Sequence, residues 1–392
     1  MDHRARTTPS PVKILLVSTS SGSRGGGELC LLYLGRALAA RGHQVTLWTS
    51  RHPRMDELAE RFTAHGPVIR ADYTNTYDRP ARSLSSFLDR RTARRVAAEW
   101  RTLAPDVIHL NKQNLEDGLD LVAAARLCDR PALAMIHITQ SAAYLRAALA
   151  PLRDWVARRA LTRFPGPLVT TPESRRSDLT HFLGDGSRVR IVTNGVPIPP
   201  PLGAEARQAV RAELGAQPGE LLGIAVGRMV SQKRPLLFLE TAAAIHSRIP
   251  QARFVWVGDG ALAGEWDAWV ETRGLGSVIQ RLPWRNDVPR LLGSADFFVH
   301  VADFEGLAFA ILEALAAGLP CAITPNLLHE MTFLDSKNSI AIEGEWIAQL
   351  GDPAGLAARG HAARALAEKE FSFERMAADY ETLYAERIAA YV

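Results

Sequence analysis

Glu305 and Glu313 interrupt an otherwise apolar run at residues 303–320. Leu307, Ile311, Leu312 and Leu315 are spaced for one buried helical stripe, entered by a turn at Gly306 and stopped by Gly318-Leu319-Pro320. Glu305 sits before the helix, and Glu313 follows eight residues later, roughly 12 Å along the axis at ~1.5 Å per residue. That is about the span of a nucleoside diphosphate sugar. One acid would hold sugar hydroxyls, the N-terminal amides would meet phosphates or the sugar, and the second acid would hold the ribose diol. Two glutamates at this spacing also occur by chance on many helices. Groups of opposite sign stand at Arg228 and Lys233, after the apolar run 222–226 and before Pro235, a residue suited to a first helical turn. Two cations at a helix mouth suit a diphosphate leaving group. The glycine spacing is wrong for a P-loop, and no Ser or Thr follows Lys233.

The elements that must position these residues alternate. The apolar run 12–18 reads as a buried parallel strand, followed by a loop with Arg24, Gly25, Gly26 and Gly27, a helix to Leu38 and a strand at 44–49. Gly26 and Gly27 let backbone amides approach a phosphate, although the loop lacks the Gly-x-Gly-x-x-Gly register and a plain tight turn is the alternative. Further strands are predicted at 68–70, 107–110, 132–137, 168–171 and 189–192, with helices near 54–65, 84–103, 116–128, 143–162 and 172–183. His109, Asn111, Lys112 and His137 fall at or just after strand ends, where such folds meet ligands. Asn194-Gly195 and the prolines at 197–201 form a stiff connector, which places a first domain at 1–199. Strands at 222–226, 254–257, 278–282 and 295–300 build a second domain at 200–371. Residues 325–330 read as a loop, and helices near 353–370 and 373–390 close the chain.

The string from Glu305 through Glu313 to Gly318-Leu319-Pro320 resembles the signature of the retaining glycosyltransferase family 4. The Gly227-Arg228 to Lys233 step resembles that family's donor loop, and Asn194-Gly195-Val196 its hinge segment. The resemblance covers nearly the whole chain. It implies an α/β GT-B architecture, two Rossmann-like doubly wound domains facing across a cleft, with the 372–392 helix crossing back to the first domain. It also implies a nucleotide-sugar donor, UDP- or GDP-linked, held by Arg228 and Lys233 at the diphosphate, by Glu305, Gly306, Leu307, Ala308 and Phe309 at the hexose, and by Glu313 at the ribose. Gly26 and Gly27 would close over the phosphates, and His137 would face the sugar. Trp284 is placed to stack on the base or simply to pack. The 1–199 domain would bind the acceptor, with contacts expected from Arg24, Asn111 and Lys112. Transfer would retain anomeric configuration. No Asp-x-Asp occurs in the sequence, so no metal is expected, and no cofactor beyond the donor. The chain departs from the family at His300-Val301-Ala302, where Pro-Ser is usual, and at Ala308, where Gly is common. Both departures touch the sugar wall, so the sugar is less defined than the chemistry.

Residues 1–199 hold 29 Lys+Arg against 18 Asp+Glu, whereas the remainder holds 17 against 24, so the basic half is the acceptor half. Arg79, Arg82, Arg90, Arg91, Arg94 and Arg95 are expected on one helix with Leu84, Phe87, Leu88, Val96 and Trp100 opposite, and Arg153, Arg158, Arg159 and Arg163 form a second group. A basic amphipathic helix suits peripheral contact with an anionic membrane or an acidic acceptor; a plain solvated face is the alternative. Nucleic acid is not expected, since the basic residues lack interleaved aromatics. The three scattered cysteines suggest neither disulfides nor zinc, and no apolar run is long enough for a signal core or a span, which fits a cytoplasmic protein working at the inner membrane face if the acceptor is lipid-linked. A glycan or lipid-linked acceptor is favoured over a soluble secondary metabolite. A non-catalytic sugar-nucleotide scaffold would be expected to lose Arg228, Lys233, Glu305 or His137, and all four are present. A nicotinamide oxidoreductase conflicts with the missing glycine fingerprint.

Overall fold

A computed structural model of the chain describes residues 11–391, which divide into two compact units. Unit 1 comprises the residues up to Gly195 together with Phe373 onward; unit 2 is Val196–Ser372.

In unit 1 the apolar runs become seven strands: β1 (Lys13–Ser18), β2 (Gln44–Ser50), β3 (Val68–Ala71), β4 (Val107–Asn114), β5 (Ala132–Ile138), β6 (Leu168–Thr170) and β7 (Val189–Ile191). They form one parallel sheet in the order β3-β2-β1-β4-β5-β6-β7. Helices cover both faces of such a sheet, which is why β1 and β5 read as continuous apolar sequence rather than alternating. Trp48 and Trp100 meet edge-on at 5.6 Å in the core on one side. Strand order reverses between β1 and β4, and the loops leaving these two strands lie together at that switch point.

Three local expectations change. The predicted 84–103 helix is two, Ser83–Leu88 and Arg90–Leu103, because the Asp89 carboxylate accepts the Thr92 N–H at 2.9 Å and caps a new start. Val96 and Trp100 are buried, and Arg79 is turned inward onto Asp120 at 2.6 Å, so neither contributes to an amphipathic surface. The predicted 143–162 helix begins only at Ala150; the preceding segment turns through Arg146 and Leu149 at φ +51° and +56°. Phe373–Ala389 packs within unit 1: the Tyr384 hydroxyl meets His109 Nδ1 at 2.7 Å, and Glu381 takes two hydrogen bonds of 2.6 Å from Arg41.

Unit 2 repeats the plan with β8 (Leu221–Val226), β9 (Ala252–Val257), β10 (Ile279–Leu282), β11 (Phe297–His300), β12 (Cys321–Ile323) and β13 (Ser339–Ala341), all parallel, in the order β10-β9-β8-β11-β12-β13. Phe238 stacks on Trp266 at 5.5 Å and meets Trp256 edge-on at 5.3 Å, packing the helix Pro235–Arg248 onto the sheet. Beyond β9, Gly258 holds φ +138°, and a Cβ there would stand 2.2 Å from the Gly227 carbonyl oxygen. Only glycine allows the ends of β8 and β9 this approach. Order reverses between β8 and β11. The 325–330 segment, read as a loop, is the short helix Pro325–Glu330.

Candidate functional site

Each sheet presents one polar cluster at its switch point. In unit 2 the residues leaving β8 and β11 meet. The Lys233 ammonium is ion-paired with Glu305, and Glu305 also accepts from His300 Nε2 at 3.0 Å. Burial alone would raise the Glu305 carboxyl, but the Lys233 charge and the His300 hydrogen bond outweigh it and hold its pKa at about 2. His300 is displaced downward by burial, only partly countered by Glu305. The set is therefore a fixed carboxylate between an ammonium and an imidazole that stays neutral near pH 7.

The loop carrying Glu305 is gripped from both sides. Gln232 donates to the Phe304 carbonyl at 2.9 Å, and its own carbonyl accepts from Asp303 N–H, also at 2.9 Å. Asn326 donates to the carbonyls of Ala302 (3.1 Å) and Asp303 (2.9 Å), and the Glu330 carboxylate accepts the Glu305 N–H at 3.3 Å. The helix Phe309–Ala316 follows with Leu307, Ala308 and Phe309 buried at its entry and no side chain capping its N-terminus. Glu313 lies buried within it. Arg228 is exposed on the β8 loop and makes no ion pair among the described residues. Trp284 is half-buried after β10, its N–H donating to Asp259 at 3.2 Å. Lys233, Glu305, His300 and the loop residues around them thus form one connected set, with Arg228 on the same loop as Lys233.

Unit 1 uses neutral groups. Gly26 and Gly27 open the helix Gly26–Ala40; Asn111 Nδ2 donates to the Gly27 carbonyl at 3.0 Å, and His137 Nε2 meets Asn111 Oδ1 at 2.8 Å. Because the Asn111 amide NH₂ is committed to a carbonyl, its oxygen faces the ring, so Nε2 carries the proton and Nδ1 offers a lone pair. Burial lowers His137 to about 4, with only partial opposition from Asp117, so the ring is neutral at pH 7. Gly26, Gly27, Asn111 and His137 therefore lie in one network.

Two expected acceptor contacts stand elsewhere. Lys112 is fully buried, its ammonium bound to the Asp117 carbonyl and, at 3.1 Å, to the Asp117 carboxylate. The same carboxylate accepts from Gln113 N–H at 2.9 Å and Asn114 N–H at 3.2 Å, so Lys112 belongs to the framework of this loop and cannot touch a bound acceptor. Arg24 is exposed and paired with Glu57 at 2.8 Å. Sequence reasoning missed the part played by His300, treating it only as a departure, and missed Gln232, Asn326 and Glu330 altogether. A histidine closing an apolar strand five residues before Glu305 was the available signal. Among the described residues, no three His, Cys, Asp or Glu side chains gather as a metal site would require, and no helix is long and apolar enough to cross a membrane.

The sequence profile described as Glycosyltransferase Family 4 matches residues 24–198, and that described as Glycosyl transferases group 1 matches residues 221–361. The chain is 29% identical over 229 residues to the UDP-Gal:alpha-D-GlcNAc-diphosphoundecaprenol alpha-1,3-galactosyltransferase of Escherichia coli, covering 56% of this chain and 57% of that one. It is 23% identical to the alpha-monoglucosyldiacylglycerol synthase of Acholeplasma laidlawii, over 78% of each chain. The aligned segment thus spans 57% of the galactosyltransferase and 55% of the putative glycosyltransferase EpsD of Bacillus subtilis, about half of each. Among solved structures, Anabaena Alr3699/HepE in complex with UDP and glucose superposes with a TM-score of 0.76 at 18% identity, covering 95% of this chain and 99% of that one. WaaG, a glycosyltransferase involved in lipopolysaccharide biosynthesis, superposes with a TM-score of 0.67 at 17% identity, over 94% and 99%.

Proposed function

The chain belongs to glycosyltransferase family 4 and has the GT-B fold, and from that premise we propose that it is a retaining glycosyltransferase that moves a sugar from a nucleoside diphosphate sugar to a hydroxyl of a glycan or lipid-linked acceptor. The observation that carries the reading is the Lys233–Glu305–His300 set at the β8/β11 switch point, on the same loops as Arg228 and the entry to the helix of Glu313. A UDP-linked donor is favoured by the UDP bound in the structurally similar HepE. A lipid-linked acceptor is favoured by the relatives named for galactosyl transfer to an alpha-D-GlcNAc-diphosphoundecaprenol and for synthesis of alpha-monoglucosyldiacylglycerol, and goes with a cytoplasmic protein at the inner membrane face.

The difficult event is cleavage of the bond between the anomeric carbon and the diphosphate oxygen, which builds negative charge on the leaving group. Arg228 and Lys233 meet that charge, and because Lys233 is already held by Glu305 it needs little reorganisation as the charge develops. Glu305, ionised at every ordinary pH, accepts hydrogen bonds from sugar hydroxyls and holds Lys233 in position. Glu313 takes the ribose diol, the amides at 306–309 the hexose or phosphate, and Trp284 the base. In unit 1, His137 supplies a neutral acceptor for a sugar hydroxyl, beside Gly26 and Gly27. The acceptor oxygen bonds to the anomeric carbon on the face the diphosphate leaves, and its proton passes to a donor phosphate oxygen. No metal takes part in this reading.

The test is thermal stabilisation by a panel of nucleoside diphosphates and their sugars, with Lys233→Ala and Glu313→Ala as controls. At a hundredfold excess over its dissociation constant a bound nucleotide adds about 2.7 kcal/mol, well within the resolution of a melting curve. One nucleotide should stabilise, and both substitutions should remove the shift. An intact protein that answers to none would leave a non-catalytic scaffold as the better reading.

A further inference from the structure

On the Arg90–Leu103 helix Arg90, Arg91, Arg94 and Arg95 form an exposed basic face, but its apolar residues lie in the core and offer nothing to a membrane. A different surface does offer apolar residues. Tyr144, Leu145, Leu149, Leu152 and Trp155 are all exposed, Leu149 at 67% and Trp155 at 55%, and Leu88 at 73% stands on the neighbouring helix Ser83–Leu88, whose Phe87 ring meets Trp155 at 6.1 Å. Leu152 and Trp155 are three apart on the helix Ala150–Thr162, which Leu149 immediately precedes, while Val156, Ala157 and Leu161 occupy the buried side. The helix is thus apolar on both sides, and only one side has a partner in the fold.

The charge around this patch has one sign. Arg146, Arg158, Arg159 and Arg163 are exposed along the same segment, and the Arg159 guanidinium lies 5.8 Å from the Trp155 ring centre. The acids of the region are turned to other tasks: Asp154 accepts the N–H groups of Ala142 and Ala143 at 2.7 and 3.0 Å, and Glu116 is paired with Arg153. Leu149 holds φ +56°, a conformation unfavourable for leucine. A contiguous apolar patch of this kind marks an interaction surface. Tyr and Trp among leucines, rimmed by arginines with no opposing free acid, match the interface of an anionic bilayer, where aromatic rings sit at headgroup depth and cations meet lipid phosphates.

We propose that this face of unit 1 docks on an anionic lipid surface. The inference deepens the reading of a membrane-borne acceptor and rests on it for its purpose, whereas the patch itself is independent of the donor residues.

The experiment is flotation of the full chain with vesicles of phosphatidylcholine alone or mixed with phosphatidylglycerol, for the wild type, for Leu149→Ser/Leu152→Ser/Trp155→Ser and for Arg159→Glu/Arg163→Glu. The wild type should bind the anionic vesicles about tenfold better than the neutral ones, and less as salt is raised. Both variants should lose that binding while keeping the wild-type circular dichroism and melting temperature, since every substituted side chain is exposed. Equal binding to both vesicle types, no binding by the wild type, or variants that float as it does would overturn the proposal. So would an apolar variant that turns an oligomer into a monomer with lipid binding unchanged, which would make the face a contact between copies. A nucleotide shift without vesicle binding sinks this inference alone, and vesicle binding without a nucleotide shift sinks the donor reading alone.

Discussion

The two switch points occupy equivalent places in two sheets of the same kind, yet they are held by different forces. At β8/β11 the geometry rests on charge: an ammonium, a carboxylate and an imidazole within hydrogen-bond reach. At β1/β4 the groups around Asn111 are neutral, a carbonyl, an amide and an uncharged imidazole. Charge lies beside them in Glu28, which accepts from Gln113 Nε2 at 3.2 Å, and in the buried pair Lys112 with Asp117, which ties down the neighbouring loop. Topology supplies the location in both cases, and the residue types decide whether a ligand there would meet fixed charges or neutral hydrogen-bonding groups.

The comparison breaks first at Lys233. Lys233→Ala should lower the transfer rate by roughly 10²–10³, the loss typical when one charge-stabilising group is removed. It should also cost about 3 kcal/mol in urea unfolding, because Glu305 is left buried without its cation. A variant as stable and as active as the wild type would mean that charge does not hold this site.

Next is His300→Leu, which removes a hydrogen bond to a carboxylate at an expected cost of about 2 kcal/mol near pH 7. The pH dependence sharpens the point. Glu305 has a folded pKa of about 2, depressed from the ordinary carboxylate value, so its contribution is complete above about 4.5 and is lost as pH falls towards 2. His300, also depressed, adds a loss as pH falls below about 6.5, since the fold favours its neutral form. Leucine abolishes the second effect and weakens the first, so stability measured by denaturant between pH 7 and 3 should fall less steeply in the variant. Parallel curves would contradict the coupling.

His137 gives the smaller effect. Its replacement by Ala should reduce transfer by about tenfold, the loss that goes with one neutral hydrogen bond of about 1.4 kcal/mol. With a pKa of about 4 it should impose no inflection on the rate between pH 5 and 8. An inflection near 6.5 that disappears in the variant would make the ring a proton carrier and erase the contrast between the two clusters. Last, Gly258→Ala should cost about 2 kcal/mol, because the β8 and β9 ends must separate, with the transfer rate of the folded fraction changing less than in Lys233→Ala.

Much of the fold was legible because parallel strands buried on both faces leave continuous apolar runs, and 12–18, 44–49 and 222–226 needed no partner to be recognised. Glu305, Glu313, Arg228 and Lys233 stood out in the sequence because their spacing is local, and the structure brings Lys233 and Glu305 together. Lys112 was misread because its partner Asp117 folds back over a turn, and a lysine at a strand end looks accessible until that turn is known. Gln232, Asn326 and Glu330 approach the Glu305 loop from 21 to 73 residues away, and nothing local marks such contacts. The 84–103 helix was drawn as one because Asp89 reads as a charge on a helix face, whereas its carboxylate ends one helix and starts the next.

The chain passes from unit 1 into unit 2 near residue 195 and returns only at Phe373. Emerging from a ribosome, unit 2 is complete while unit 1 still lacks Tyr380, Tyr384 and Glu381, with His109 and Arg41 waiting for their partners. The half of the molecule made first is therefore the half finished last. A nonsense change at residue 373 would leave unit 2 with its own core and strip unit 1 of a wall.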